Sequence, residues 1–443
     1  MQSDWPVVTL GVHCVKIGSG ATPTGGKAAY LHAGPYKLIR SQNVHNEGFA
    51  WPGLAFISEE QARRLDNVSV EVGDVLVNIT GDSVARVCNA PLEALPARVN
   101  QHVAIVRPRK TEFDSNFLRW FFCAPAQQEQ LLGLAGAGAT RNALTKAMLE
   151  RLQIPKPPLQ VQRDLVAPLV AIEKRIALLR QTNATLEAIA QALFKSWFMD
   201  FDPVRAKQEG RDPEGMDANT AALFPADFEE SAMGLIPKGW RAATVAEAFE
   251  FNPARFLPKG ASAPYLEMAN APTAGHRPSE RVECRAFGSG CKFRNGDALL
   301  AKITPCLENG KSAFVDFLED NEIGWGSTEF IVMRAKPVLP EYGAYLLARF
   351  DPFRQFAIQA MTGTSGRQRV ELSRLKQFQM ALPPDSSIAT AAAPMLYAFQ
   401  SRIASNDEQA NNLAGLRDTL LPRLISGKLR VPEADEQVEN GLV

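Results

Sequence analysis

Apolar side chains recur at Leu165, Leu169, Ile172, Ile176, Leu179, Leu186, Ala190, Leu193 and Trp197, with Asn183 at the polar step. The spacing alternates four and three without a break over four heptads, which predicts one coiled-coil helix from about Val161 to Phe198. At 1.5 Å per residue it would run roughly 55 Å. A second seam lies at Leu396, Phe399, Ile403, Asn406, Ala410, Leu413, Leu420 and Leu424. It is interrupted at Arg417, where Leu416 lies beside the expected position, and Pro422 and Gly427 are read as closing it. A buried Asn costs stability and is best explained as fixing register. Near-equal lengths and one Asn per seam therefore predict two helices packed on each other, antiparallel, rather than each on its own neighbouring body.

Before each seam lies a stretch of about 150 residues with a different pattern. Val70–Ile79 reads as two short strands around a Gly-Asp turn, and Ala298–Ile303 is its counterpart. Val103–Val106 and Phe330–Met333 read as further buried strands. Asn116–Leu134 and Tyr342–Ala360 carry helical periodicity. Landmarks of the first stretch return in order in the second. Trp5 returns as Trp240, Asn43 as Asn270, Gly73-Asp74 as Gly296-Asp297, Arg107 as Arg334, Arg141 as Arg367, and Pro157-Pro158 as Pro383-Pro384. The offset is 235 for the tryptophans and between 223 and 227 for the others, as duplication followed by small loop insertions and deletions would leave them. The fold class is therefore α/β (α+β), with two similar mixed bodies and two long helices.

A chain of 443 residues suits two to four domains. Net charge is zero, but its distribution is uneven. Residues 1–158 hold 16 Lys/Arg against 13 Asp/Glu, and residues 236–384 hold 19 against 15. The stretch 200–235 holds 3 against 9, and the tail 431–443 is acidic. The two bodies are thus mildly basic, which permits nucleic-acid binding without demanding it. No apolar run reaches the ~18 residues of a membrane helix. The six cysteines show no CxxC and no framework spacing, so they are expected to be reduced, mostly buried thiols in a cytoplasmic protein.

Catalytic and cofactor signatures fail on inspection. Gly310-Lys311-Ser312 resembles the end of a phosphate loop, but the first glycine of that motif would fall at Pro305, and the next residues, Ala313–Phe317, read as strand rather than helix. A hairpin turn fits better. Gly133-Leu-Ala-Gly136-Ala-Gly138 comes after a helix rather than a strand. Asn252-Pro253-Ala-Arg lacks the second proline and the aromatic of an amino-methyltransferase motif. The expectation is no active site, no cofactor and no metal.

Two bodies on a rigid helical pair would suit two half-sites about one DNA turn apart, which is roughly 34–36 Å. Their different loops would make the halves unlike. In these features the chain resembles the specificity subunits of Type I restriction-modification systems. The resemblance runs from Trp5 to Val431. It is carried by Ile154-Pro-Lys-Pro-Pro158, by Leu193-Phe-Lys-Ser-Trp-Phe-Met-Asp-Phe-Asp-Pro-Val204 and by Met233-Gly-Leu-Ile-Pro-Lys-Gly-Trp240. Gly363-Thr-Ser-Gly-Arg367 and Leu424-Ile-Ser-Gly-Lys-Leu429 add to it. It implies two target-recognition domains (1–158 and 237–384), spacer helices (159–200 and 385–430), an acidic linker (201–236), read as an exposed connector, and an acidic tail (431–443). It also implies double-stranded DNA with a split site, two methyltransferase subunits and restriction subunits as partners. S-adenosylmethionine would sit in those partners, and one adenine would be methylated in each half.

Base contacts usually come from Arg, Lys, Asn and Gln on loops, and phosphate contacts from Lys, Arg, Ser and Thr. In the first body the candidates are Arg40, Asn43, Thr80, Arg141 and Asn142. In the second they are Lys302, Thr304, Arg367, Gln368 and Arg369. Asn43 also suits a turn-capping role, because its counterpart Asn270 recurs with a glycine behind it. Arg141 and Arg367 stand out, since each comes after a glycine-rich segment and ahead of a short helix. Two rival functions remain open in the residues themselves: a coiled-coil scaffold, and a self-contained DNA modification enzyme.

Overall fold

The computed structural model describes residues 5–136, 142–278, 281–364 and 366–428. It divides into two compact units. One holds the chain up to Ile176 and from Asn411 onward, and the other spans Ala177–Ala410. Among the described residues, no helix is long and apolar enough to cross a membrane.

In the first unit, Cys14–Ser19, Val103–Pro108, Val75–Asn78 and Val87–Asn89 lie side by side in that order as an antiparallel sheet. A second sheet places Tyr36–Ile39 between Ala55–Ile57 and Ala97–Val99, and runs parallel to the latter. Val7–Thr9 pairs with Gln153–Pro155 and so ties the body's start to its end. Leu38, Ile57, Leu76, Val99 and Ile105 fill the space between the sheets.

The second unit repeats this plan. Phe249–Phe251, Phe330–Ala335, Asp297–Ala301 and Ser312–Phe314 form the same four-strand order. Ser262–Leu266 runs parallel to Gly324–Gly326 in the second sheet, and Arg241–Thr244 pairs with Gln379–Leu382 to close the body. The recurring Gly-Asp and Arg landmarks have one structural job. Gly73 and Gly296 take the left-handed backbone of a turn, at φ 82° and 89°. Asp74 and Asp297, both buried, then accept from the Nε of Arg107 and Arg334, each at 2.7 Å. Residues 70–74 form this turn, so the expected pair of strands is one strand, Val75–Asn78.

Each expected mid-body helix is broken in two, as Ser115–Cys123 and Pro125–Gly136, and as Gly343–Arg349 and Asp351–Gln359. The breaks fall at Ala124 and Phe350, which are extended, and a proline opens the next helix in both cases. Pro125 excludes the helical conformation at Ala124.

Two long helices come after the bodies, α1 (Leu159–Lys195) and α2 (Ser387–Ile425). Within the second unit their contacts fix the direction. Asn183 donates to Ile403 O at 3.2 Å and to Asp407 Oδ1 at 2.7 Å, and accepts from Asn406 Nδ2 at 2.8 Å. Further along α1, Ala190 and Phe194 share a core with Ile388, Ala392 and Leu396, which lie earlier in α2. The pair is therefore antiparallel, and the two seam asparagines meet. Past Asn183 the seam drifts: Glu187 and Phe194 are buried, whereas Leu186 and Leu193 are only half-buried. A helix with 3.6 residues per turn slips by about 20° per heptad against a strict seven-residue repeat. Pro422 lies inside α2, not at its end. The end is made by Gly427 (φ 67°), with Gly427 N donating to Leu424 O and Lys428 N to Arg423 O.

The linker is exposed along much of its length, as expected, but it is folded and anchored at a few buried positions. Asp202–Gln208 and Ala218–Ala222 are helical, Phe228–Ser231 and Gly234–Pro237 form a hairpin, and Val204, Phe224 and Ile236 join the second unit's core. Its acidic composition reports the outward face only. Of the cysteines, Cys14 and Cys88 are buried, and burial pushes both thiols up to about 12. Cys123, Cys291 and Cys306 are half-buried, and Cys284 is exposed on the edge strand Glu283–Ala286, so fewer of the thiols are buried than expected.

Candidate nucleic-acid interface

The candidate residues gather where the strand after each Gly-Asp turn leaves its sheet. In the second body that strand continues through Lys302, Ile303 and Thr304. Lys302 N donates to Glu329 O at 2.9 Å, Val370 N to Lys302 O at 2.8 Å, and Thr304 N to Gln368 O at 3.0 Å. Ile303 pairs with Arg369 as an isolated bridge. The opposing segment is the hairpin of Met361–Thr362 with Arg369–Val370. Its turn needs Gly363 and Gly366 at φ 121° and 81°.

The first body carries the same four links. Ile79 N donates to His102 O, Leu144 N to Ile79 O, and Gly81 N to Asn142 O, while Thr80 pairs with Ala143. Sequence offsets of 223, 227 and 226 relate every partner. The structure thus brings Thr80 together with Asn142, and Lys302 and Thr304 together with Gln368 and Arg369. Arg141 lies outside the described residues. Arg367, at the end of the glycine turn, is exposed and donates its backbone N–H to Thr364 O at 3.0 Å.

Arg40 and Asn43 sit elsewhere, around a tight turn. Asn43 is 0% exposed. Its Oδ1 accepts from Arg40 N at 3.0 Å, and its Nδ2 donates to Ala50 O at 2.9 Å. The amide is used up inside the protein, so Asn43 cannot reach a base, and the turn-capping reading holds. Arg40 is half-buried, with its guanidinium 5.0 Å from the Tyr30 ring centre and an Nη2 contact to Gly53 O.

The charges at the two frames differ. Arg369 donates Nε to both oxygens of Glu329 at 3.0 Å and Nη2 to Oε1 at 2.8 Å. This hydrogen-bonded pairing holds the Glu329 carboxyl below its usual range. In the first body Thr80 Oγ1 lies 2.5 Å from His102 Nδ1, and Gln101 Nε2 lies 2.8 Å from His102 Nε2. The Gly310-Lys311-Ser312 segment is a turn into a buried strand, and Lys311 Nζ is spent on the carbonyls of Met268 and Ala269.

Residues 2–188 match the family model described as the Type I restriction modification DNA specificity domain. Over that stretch the chain is similar to the specificity subunits of Type I restriction-modification systems. It is 24% identical to the MjaIX specificity subunit of Methanocaldococcus jannaschii, over 76% of this chain and 74% of that one. It is 22% identical to the HindI specificity subunit of Haemophilus influenzae, over 65% and 71%. The crystal structure of the S subunit of a Type I restriction-modification system from M. genitalium shares the fold. Its TM-score is 0.50 at 15% identity, covering 95% of this chain and 96% of that one.

Two residues of these frames were not foreseen from the sequence, His102 and Glu329. A signal existed for both. Each immediately precedes a strand recognised as repeated, Val103–Val106 and Phe330–Met333. The pair therefore occupies one position of the duplicated frame with different chemistry.

Proposed function

We propose that this chain is the non-catalytic, DNA-sequence-reading subunit of a Type I restriction-modification complex. In this reading each body recognises one half of a bipartite, asymmetric DNA site. The helical pair recruits two methyltransferase subunits, which restriction subunits join. The observation that carries the reading is the doubled frame: identical backbone links hold different side chains at matching positions. A scaffold has no need of such a pattern, and a reader of two unlike half-sites requires it. The contacting candidates are Arg40, Thr80, Arg141 and Asn142 in the first body, and Lys302, Thr304, Arg367, Gln368 and Arg369 in the second. Sites of this kind read base edges through Arg, Asn and Gln, and position the duplex through cations on phosphates.

Methylome sequencing of the host with and without the gene tests the reading. The expected result is one split, adenine-methylated motif that disappears on deletion. A complex that favours no DNA sequence would leave the scaffold reading instead. Stoichiometric binding of labelled S-adenosylmethionine by the isolated chain would favour a self-contained modification enzyme.

A further inference from the structure

The matching frames place Arg369 and Glu329 where the first body has Ala143 and His102. The main chain is shared, but the chemistry is not. Ala143 has no side-chain donor, whereas Arg369 offers five N–H groups in a planar fork. Its Nε–H and one Nη2–H face Glu329. Among the described residues, Nη1 and the second Nη2–H have no hydrogen-bond partner, and the side chain is 50% exposed while Glu329 is only 21% exposed. The carboxylate is thus a half-buried brace, and the outer edge of the fork is presented to solvent.

That outer edge has two parallel donors. Guanine offers two acceptors, O6 and N7, at the matching separation in the major groove. A phosphate is the poorer partner, because the Arg–Glu pair is neutral overall and the carboxylate repels an approaching anion. A neutral base edge meets no such repulsion. Bracing also means that less side-chain freedom is lost when the fork docks. Lys302 and Arg367, on the same frame, lack such a brace among the described residues and suit phosphates.

We propose that Arg369, oriented by Glu329, is a specificity-determining residue of the second body that reads one guanine in the half-site this body recognises. Glu329 acts through Arg369 as a positioning residue. The inference rests on the DNA-reading function proposed above.

The test uses the full chain in complex with its methyltransferase subunits, selecting or methylating DNA from a randomised pool. Wild type is expected to show a guanine at one position of one half-motif. Arg369→Ala is expected to lower that guanine preference by about tenfold to a hundredfold, with the other half-motif unchanged. Glu329→Ala is expected to move two readouts in opposite directions. Overall affinity is kept or raised, because a negative charge near the duplex is gone, while guanine preference falls. If Arg369→Ala assembles poorly, Arg369→Lys keeps the charge without the fork and should lose the same preference. Uniform weakening on all sequences with the motif intact would make Arg369 a phosphate contact and overturn the proposal. So would a Glu329→Ala complex with an unchanged motif. A wild-type complex with no split motif would refute the DNA-reading function itself, which is a separate failure.

Discussion

Asn183 is the residue whose replacement tests the helical pair most sharply. Its buried amide makes three hydrogen bonds: to Ile403 O, to Asp407 Oδ1 and from Asn406 Nδ2. Asn183→Leu removes all three and leaves two side-chain groups without partners, the Asn406 amide and one Asp407 oxygen. Each orphaned buried group costs about 1–3 kcal/mol, so a loss of about 2–4 kcal/mol is expected. Asn406→Leu orphans only Asn183 Oδ1, because Asn183 keeps Ile403 and Asp407, and should cost about 1–2 kcal/mol. The double Leu variant removes both amides from an otherwise apolar seam. It should be less destabilised than the sum of the singles by about 1 kcal/mol or more. Urea unfolding of the four proteins, tracked by two probes because the chain has two units, measures the cycle. Additive single effects, or a costlier Asn406→Leu, would refute the argument that the two asparagines act as one contact.

The same geometry sets other outcomes. In the first unit Glu173 holds the buried Arg119 through both Nη1 (2.8 Å) and Nη2 (2.5 Å). Glu173→Ala should destabilise by about 3–5 kcal/mol in chemical denaturation, because it strands a buried guanidinium. The depressed Glu329 carboxyl contributes stability that is complete above the unfolded glutamate value of about 4.3 and lost as pH falls through its lower folded value. Glu329→Gln should therefore flatten part of the acid limb below about pH 4.3 in a stability-versus-pH series. Tyr345→Phe removes a hydroxyl 2.6 Å from the buried Glu187 carboxylate, and thermal unfolding should report a loss of about 1–3 kcal/mol. Inserting one heptad within Leu165–Trp197 should alter the gap between the half-motifs in the methylome and leave both halves unchanged. A change in either half would sink the view of α1 as a spacer.

Much of this molecule was legible in its sequence because local periodicity and duplication are one-dimensional signals. The 4,3 spacing located both long helices, the lone asparagines announced their mutual contact, and near-constant offsets marked two copies of one body. Tertiary structure decided what depends on partners far along the chain. The acidic linker is exposed along much of its length, yet Val204 and Phe224 anchor it in the core, which composition could not show because it averages over both faces of a segment. Asn43 carried a reader's functional group, but the turn between Arg40 and Ala50 consumes it. Leu186 and Leu193 kept the seven-residue register, yet the helix turned Glu187 and Phe194 inward instead. Glu329 became significant only once folding set it against Arg369, forty residues away, because a side chain's role is defined by the groups it meets.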